Sequence, residues 1–82
     1  MHWVYIIRCG DGTLYTGWTT DLDARIAAHG AGAGAKYTKG RGPVELLYRE
    51  SFDDKGDALR REAAIKKMRR RDKLRLIGKS AD

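Results

Sequence analysis

The chain has little with which to build a covalently braced or membrane-embedded protein. Of its 82 residues one is cysteine and one is proline. A single thiol, Cys9, closes no internal disulfide, and no Cys/His group has zinc-site spacing, a usage that suits a reducing compartment. No apolar run is long enough to cross a bilayer, and Met1-His2-Trp3 opens without the basic, apolar and small-residue segments of a secretory signal. No serine or cysteine stands near a plausible base, which argues against acyl transfer. These absences predict a cytoplasmic protein with no membrane partner. Packing alone must hold it.

What is present is charge. Charged residues make up 34% of the chain and apolar residues 41%, so a folded domain with a heavily solvated face is expected rather than disorder. The length suits one domain over 1–82 with a thin core; no residue pattern sets the oligomeric state, and a monomer is the default expectation. The net charge of +6 is unevenly placed. Residues 1–59 hold seven basic and eight acidic side chains, whereas residues 60–82 hold ten basic and three acidic. Lys66, Lys67, Arg69, Arg70 and Arg71, within the basic segment 60–80, create a positive field suited to a polyanion. Nucleic acid is the natural candidate, because each phosphate neutralised releases counterions. A solvated helix face followed by a disordered tail would produce the same run.

Periodicity predicts an α/β fold. Residues 2–8 and 13–19 are rich in aromatic and β-branched types and flank the turn signal Cys9-Gly10-Asp11-Gly12, which predicts a hairpin. A helix over about 21–29 follows, with Thr20 as its cap and Gly30 closing it in a left-handed conformation. The glycine-alternating stretch 30–35 reads as a mobile loop, continued by Lys36, Tyr37, Lys39 and Arg41. Val44 to Arg49 makes a third strand. A helix from Lys55 to Met68 is carried by Ala58, Leu59, Ala63, Ile65 and Met68. A last one covers Asp72 to Ile77, with Leu74 and Ile77 inward and Gly78 at its end. The order is ββαβαα. With the first strand central and antiparallel to both others, a three-stranded sheet in the order second, first, third is flanked by helices.

Several side chains in this frame carry chemistry. Tyr5 and Tyr15 lie on the paired strands. Packing aromatics with a rim hydroxyl would look the same. If they act together they must share a face, which requires an odd hairpin loop, such as Gly10-Asp11-Gly12 with Ile7 opposite Tyr15, or a bulge. Arg25 and His29, four apart, project from one helix face. A guanidinium there can hold a phosphate oxygen bidentately, or simply snorkel. Glu62 falls four residues after Ala58 and three before Ile65, inside the inward stripe. A carboxylate there needs a basic partner across the core edge or a metal ion.

Trp3-Val4-Tyr5, Tyr15-Thr16-Gly17, Arg25, His29 and Glu62, in that order along the chain, resemble the GIY-YIG nuclease family. Stretches such as CGDGTLYTG, AKYTKGRGPVEL and ALRREAAIKK resemble its short stand-alone bacterial members. Trp3 stands where the first motif has glycine and Thr16 where the second has isoleucine. The resemblance implies a metal-dependent endonuclease acting on DNA phosphodiester bonds in repair or processing, with selection by shape for branched, nicked or single-stranded forms as the expectation. By position it makes Tyr15 the general base, with Tyr5 or His29 assisting. It also gives Arg25 the phosphate and Glu62 one Mg²⁺ or Mn²⁺, an ordinary mode for a hard cation that keeps several waters. A phenol near pKa 10 is a poor base unless a cation favours its ionised form, a task for Arg25 and the metal. Lys36, Tyr37, Lys39 and Arg41 would join the basic C-terminal segment on the nucleic acid, with DNA expected over RNA. A nucleic-acid-binding module with weak or no cleavage is the alternative, since the polar residue that many members place after the glutamate has no clear counterpart. A small basic accessory protein bound to structured RNA is a third reading.

Overall fold

Period-two alternation in the N-terminal hairpin becomes the two faces of a sheet. The computed structural model describes residues 1–31 and 43–80. In chain order the elements are β1 (His2–Arg8), β2 (Leu14–Thr19), α1 (Leu22–Gly30), β3 (Glu45–Phe52), α2 (Lys55–Lys66) and α3 (Arg70–Ser80). The sheet order is β2-β1-β3, with β1 antiparallel to both neighbours. The expected ββαβαα architecture is the one found. Residues 32–42, and with them the expected loop and Lys36, Tyr37, Lys39 and Arg41, lie outside the described residues.

The hairpin turn sets the parity of everything that follows. Cys9 N–H donates to Thr13 O and Gly12 N–H to Cys9 O, both at 2.9 Å, which leaves Gly10-Asp11-Gly12 as a three-residue loop. Gly12 has φ +86°, the left-handed residue that such a loop requires. Asp11 Oδ1 accepts from the Thr13 amide and hydroxyl and stiffens the exit. The register then places Ile7 opposite Tyr15 and Tyr5 opposite Gly17, so both tyrosines share a face. A bulge at Leu47 shifts β3 against β1 between Ile6 and Ile7.

Each face is covered differently. On one side Tyr5, Ile7 and Leu22 are buried, with Trp3, Tyr15, Ile26, Val44 and Leu46 against them, which is the α1 side. On the other, Val4, Ile6, Tyr48, Ala58 and Ile65 form the core, and Met68 from the α2–α3 connection and Leu76 and Ile77 from α3 close it. A strand between two others, buried on both faces, is apolar at four successive positions, Val4 to Ile7.

Several helix details differ from the sequence expectation. Asp21, not Thr20, caps α1 by accepting from the Ala24 amide at 3.2 Å. Thr19 Oγ1 in turn accepts from the Asp21 amide at 3.1 Å, so the hydroxyl braces the cap instead of forming it. Gly30 stays helical and the C-cap is Ala31 with right-handed φ −82°. The inward face of α2 follows Ala58, Glu62 and Ile65, which turns Leu59 and Ala63 outward. α3 extends from Arg70 through Gly78 to Ser80, and it is Leu76 rather than Leu74 that joins Ile77 on the core. Leu74 is exposed.

Candidate nuclease site

The tyrosine pair sits where the sheet lacks a side chain. A β-carbon on Gly17 would come within 2.6 Å of Tyr5 Oη and 2.8 Å of Tyr5 Cζ. Only glycine at that cross-strand position lets the Tyr5 ring lie over β2. There its hydroxyl meets His29 Nε2 at 2.8 Å, and the ring centroids of Tyr15 and His29 are 5.2 Å apart. The Tyr5 and Tyr15 rings are tilted with centroids 6.4 Å apart. α1 brings Arg25 and His29 to this spot because they lie four residues apart, one turn above the other.

Proton positions follow from burial. Tyr5 is fully buried, and loss of solvent pushes its phenol up to about 12, with the Arg25 guanidinium opposing and the Tyr15 and Glu62 charges adding to the rise. His29 is also fully buried, and burial, then the Arg25 charge, lowers its pKa below 6.5. A phenol that keeps its proton and an imidazole that stays neutral share this one hydrogen bond, and the imidazole tautomer sets which of them donates. Tyr15 is only half-buried and is the tyrosine that solvent reaches. Arg25 Nε is buried and has no hydrogen-bond partner among the described residues.

Glu62 arrives from the opposite face. α2 packs on β1 and β2, and the Glu62 charge acts on the Tyr5 phenol. Its side chain is 15% exposed, and Lys66 Nζ, one turn along, lies 3.5 Å from Oε2 with a side chain 52% exposed. Arg60 and Arg61 turn elsewhere, to Asp57 and to Glu50. Among the described residues no group of three His, Cys, Asp or Glu could form a metal cage. This donor set suits a hard divalent ion that takes one carboxylate and fills its shell with water and phosphate oxygens, and does not suit a closed zinc site.

The structure therefore gathers Tyr5, Tyr15, Arg25 and His29, with Glu62 in electrostatic reach. The profile of the GIY-YIG catalytic domain matches residues 1–75. The chain belongs to the GIY-YIG family. Its relatives are UPF0213 proteins. One from Halobacterium salinarum is 59% identical over 77 residues, covering 94% of this chain and 100% of the relative. One from Staphylococcus haemolyticus is 57% identical over 76 residues, covering 93% of each. The solution NMR structure of a UPF0213 protein from Bacillus halodurans superposes with a TM-score of 0.63 at 49% identity, covering 94% of this chain and 82% of that one. A protein from E. faecalis, also solved by NMR, gives 0.66 at 35% identity, covering 98% and 85%. GIY-YIG domains define a nuclease family that generally uses a divalent metal ion.

The basic residues divide in two. Lys66 is engaged with Glu62 and Lys67 caps α2, while Arg69, Arg70 and Arg71 are exposed at the α2–α3 junction. Sequence reasoning missed two residues. Gly17 was visible in Tyr15-Thr16-Gly17, but its steric role required the cross-strand register. Lys73 lies three residues after Arg70 and shares its helix face. No helix is long and apolar enough to cross a membrane among the described residues.

Proposed function

We propose that this protein is a metal-dependent endonuclease that hydrolyses DNA phosphodiester bonds. The observation that carries the reading is Arg25, whose buried Nε lacks an acceptor beside a half-exposed tyrosine and a nearby carboxylate. A buried donor without a partner costs about 1–3 kcal/mol, and a phosphate oxygen at that position would satisfy it.

In this reading Tyr15 takes the proton of the attacking water, since it alone of the two tyrosines is reached by solvent. Arg25 holds a non-bridging phosphate oxygen and offsets charge as it builds on the phosphorus oxygens. Tyr5 and His29, sealed behind, act as positioning residues that support the Tyr15 ring. Glu62 would hold one Mg²⁺ or Mn²⁺. That ion, when bound, supplies Lewis-acid stabilisation of the departing oxygen. The products would carry a 5′-phosphate and a 3′-hydroxyl. The same reading covers a cytoplasmic monomer working as one domain over 1–82, in DNA repair or processing, with selection by DNA shape and with Lys36, Tyr37, Lys39 and Arg41 beside the substrate.

The Lys66–Glu62 pair favours a second reading, a nucleic-acid-binding module in which lysine occupies the carboxylate and cleavage is weak. Single-turnover cleavage of duplex, nicked and branched DNA with added Mg²⁺ or Mn²⁺ separates the two. Tyr15→Phe is expected to slow the parent rate by roughly 10² to 10⁴, and Glu62→Gln to abolish the response to metal. Equal rates for the parent and both variants would remove the hydrolase assignment.

A further inference from the structure

Ion pairing engages four of the basic side chains among the described residues. Arg8 is committed to Glu45, Arg60 to Asp57, Arg61 to Glu50 and Lys66 to Glu62. Among the described residues no ion pair engages Arg70 or Lys73. These two, with Thr13 and Leu14, line a cleft between the first turn of α3 and the start of β2.

The cleft is turned toward the sheet. Arg70, Lys73 and Ile77 stand at i, i+3 and i+7, so they share one face of α3. Ile77 packs on the core, and Lys73 is half-buried. Arg71, Arg75 and Lys79 occupy another face and are exposed. The Thr13 hydroxyl donates to Asp11 Oδ1 at 2.7 Å, so the two cations are the cleft's donors. Asp11 and Asp72 are the acids closest in sequence, set against Lys67, Arg69, Arg70, Arg71 and Lys73. The balance favours an anion.

Its place relative to the candidate site is specific. Leu14 and Tyr15 are successive residues of β2, so their side chains leave opposite faces of an edge strand. The cleft and Tyr15 thus flank the same end of one sheet edge. We propose that Arg70 and Lys73 form a second phosphate site, which grips the backbone of the strand being cut beside the phosphate held at Arg25, so that this strand crosses the β2 edge. Arg70 offers a planar fork to two phosphate oxygens, Lys73 a point charge, and Leu14 an apolar floor. The proposal rests on the nuclease reading for its geometry, though not for its binding chemistry.

Fluorescence anisotropy of a short fluorescein-labelled DNA duplex, titrated with the full chain in EDTA across a salt series, tests it without cleavage. Each phosphate contact contributes about 0.9 to the slope of log K against log salt. Arg70→Gln/Lys73→Gln is expected to flatten the parent slope by about 1.8, and Arg70→Lys/Lys73→Arg to restore it. Arg71→Gln/Arg75→Gln removes the same charge from the outer face and should flatten it less than half as much. Equal flattening by the two glutamine pairs would overturn the site in favour of a diffuse field. A parent that shows no salt-dependent binding would overturn it together with the nucleic-acid reading. A parent that binds through the cleft and never cleaves would keep the site and remove only the hydrolase.

Discussion

Gly17 determines where the Tyr5 hydroxyl can go. Any β-carbon there falls 2.6 Å from that hydroxyl and 3.1 Å from Tyr15 Cε2, and the ring cannot retreat because it is packed among buried neighbours. Gly17→Ala should break the Tyr5–His29 hydrogen bond and cost about 1–3 kcal/mol of stability, as overpacking of a filled site does. Urea denaturation measures the loss, and an unchanged midpoint would show that the ring has room. Cleavage should fall with it, since the same movement tilts the platform behind Tyr15. Thr16, next door, is 3% exposed with a hydroxyl that has no partner among the described residues. It faces the α2 side and takes no part in the cluster.

The hairpin is the element on which the site depends. Its three-residue loop makes the pairing sum even and sends Tyr5 and Tyr15 to the same face. Gly12 supports that loop at φ +86°, in open space with nothing within 4 Å of a would-be β-carbon. The cost of a substitution is then conformational rather than steric. Gly12→Ala should destabilise by about 1–2 kcal/mol, and Gly12→Asn by less, since asparagine tolerates the left-handed region. Thermal unfolding of the two variants checks the order; equal melting temperatures would mean the loop relaxes into another turn. The helix boundaries show the same dependence on local chemistry. Thr20 and Asp21 both suit a cap, and the Thr19 hydroxyl bond to the Asp21 amide selects Asp21. Gly78 looked like a stop, yet Leu76 and Ile77 gain enough from the core to carry α3 past it.

For the molecule as a whole, burial of the site ties stability to pH. The folded imidazole of His29 titrates below 6.5, so as pH falls the unfolded chain binds its proton first. That stability is complete above 6.5 and declines as pH drops toward the folded value. Tyr5 works in the other direction. Its folded phenol is pushed up from 10.0 to about 12, so the unfolded phenol ionises first, and stability complete below 10 is lost between 10 and 12. Two units correspond to roughly 2–3 kcal/mol. Urea midpoints should therefore be flat from about pH 7 to 10 and fall on both sides. Tyr5→Phe should make the alkaline limb shallower; an unaltered limb would show that the phenol is solvated.

Much of this could be read along the chain. Alternation, turn residues and helical spacing depend on neighbours within a few positions, so three strands, three helices and the order β2-β1-β3 were within reach, as was the shared face of Tyr5 and Tyr15. So was the family, because Tyr5, Tyr15, Arg25, His29 and Glu62 keep their types and order. Other facts depend on groups far apart in sequence meeting in space. That Tyr5 is sealed and Tyr15 open, that Lys66 pairs with Glu62 while no ion pair engages Arg70 or Lys73 among the described residues, and that Gly17 makes room for a ring from another strand, all follow from packing. Desolvation and steric exclusion act through space, and no pattern along a single chain records them.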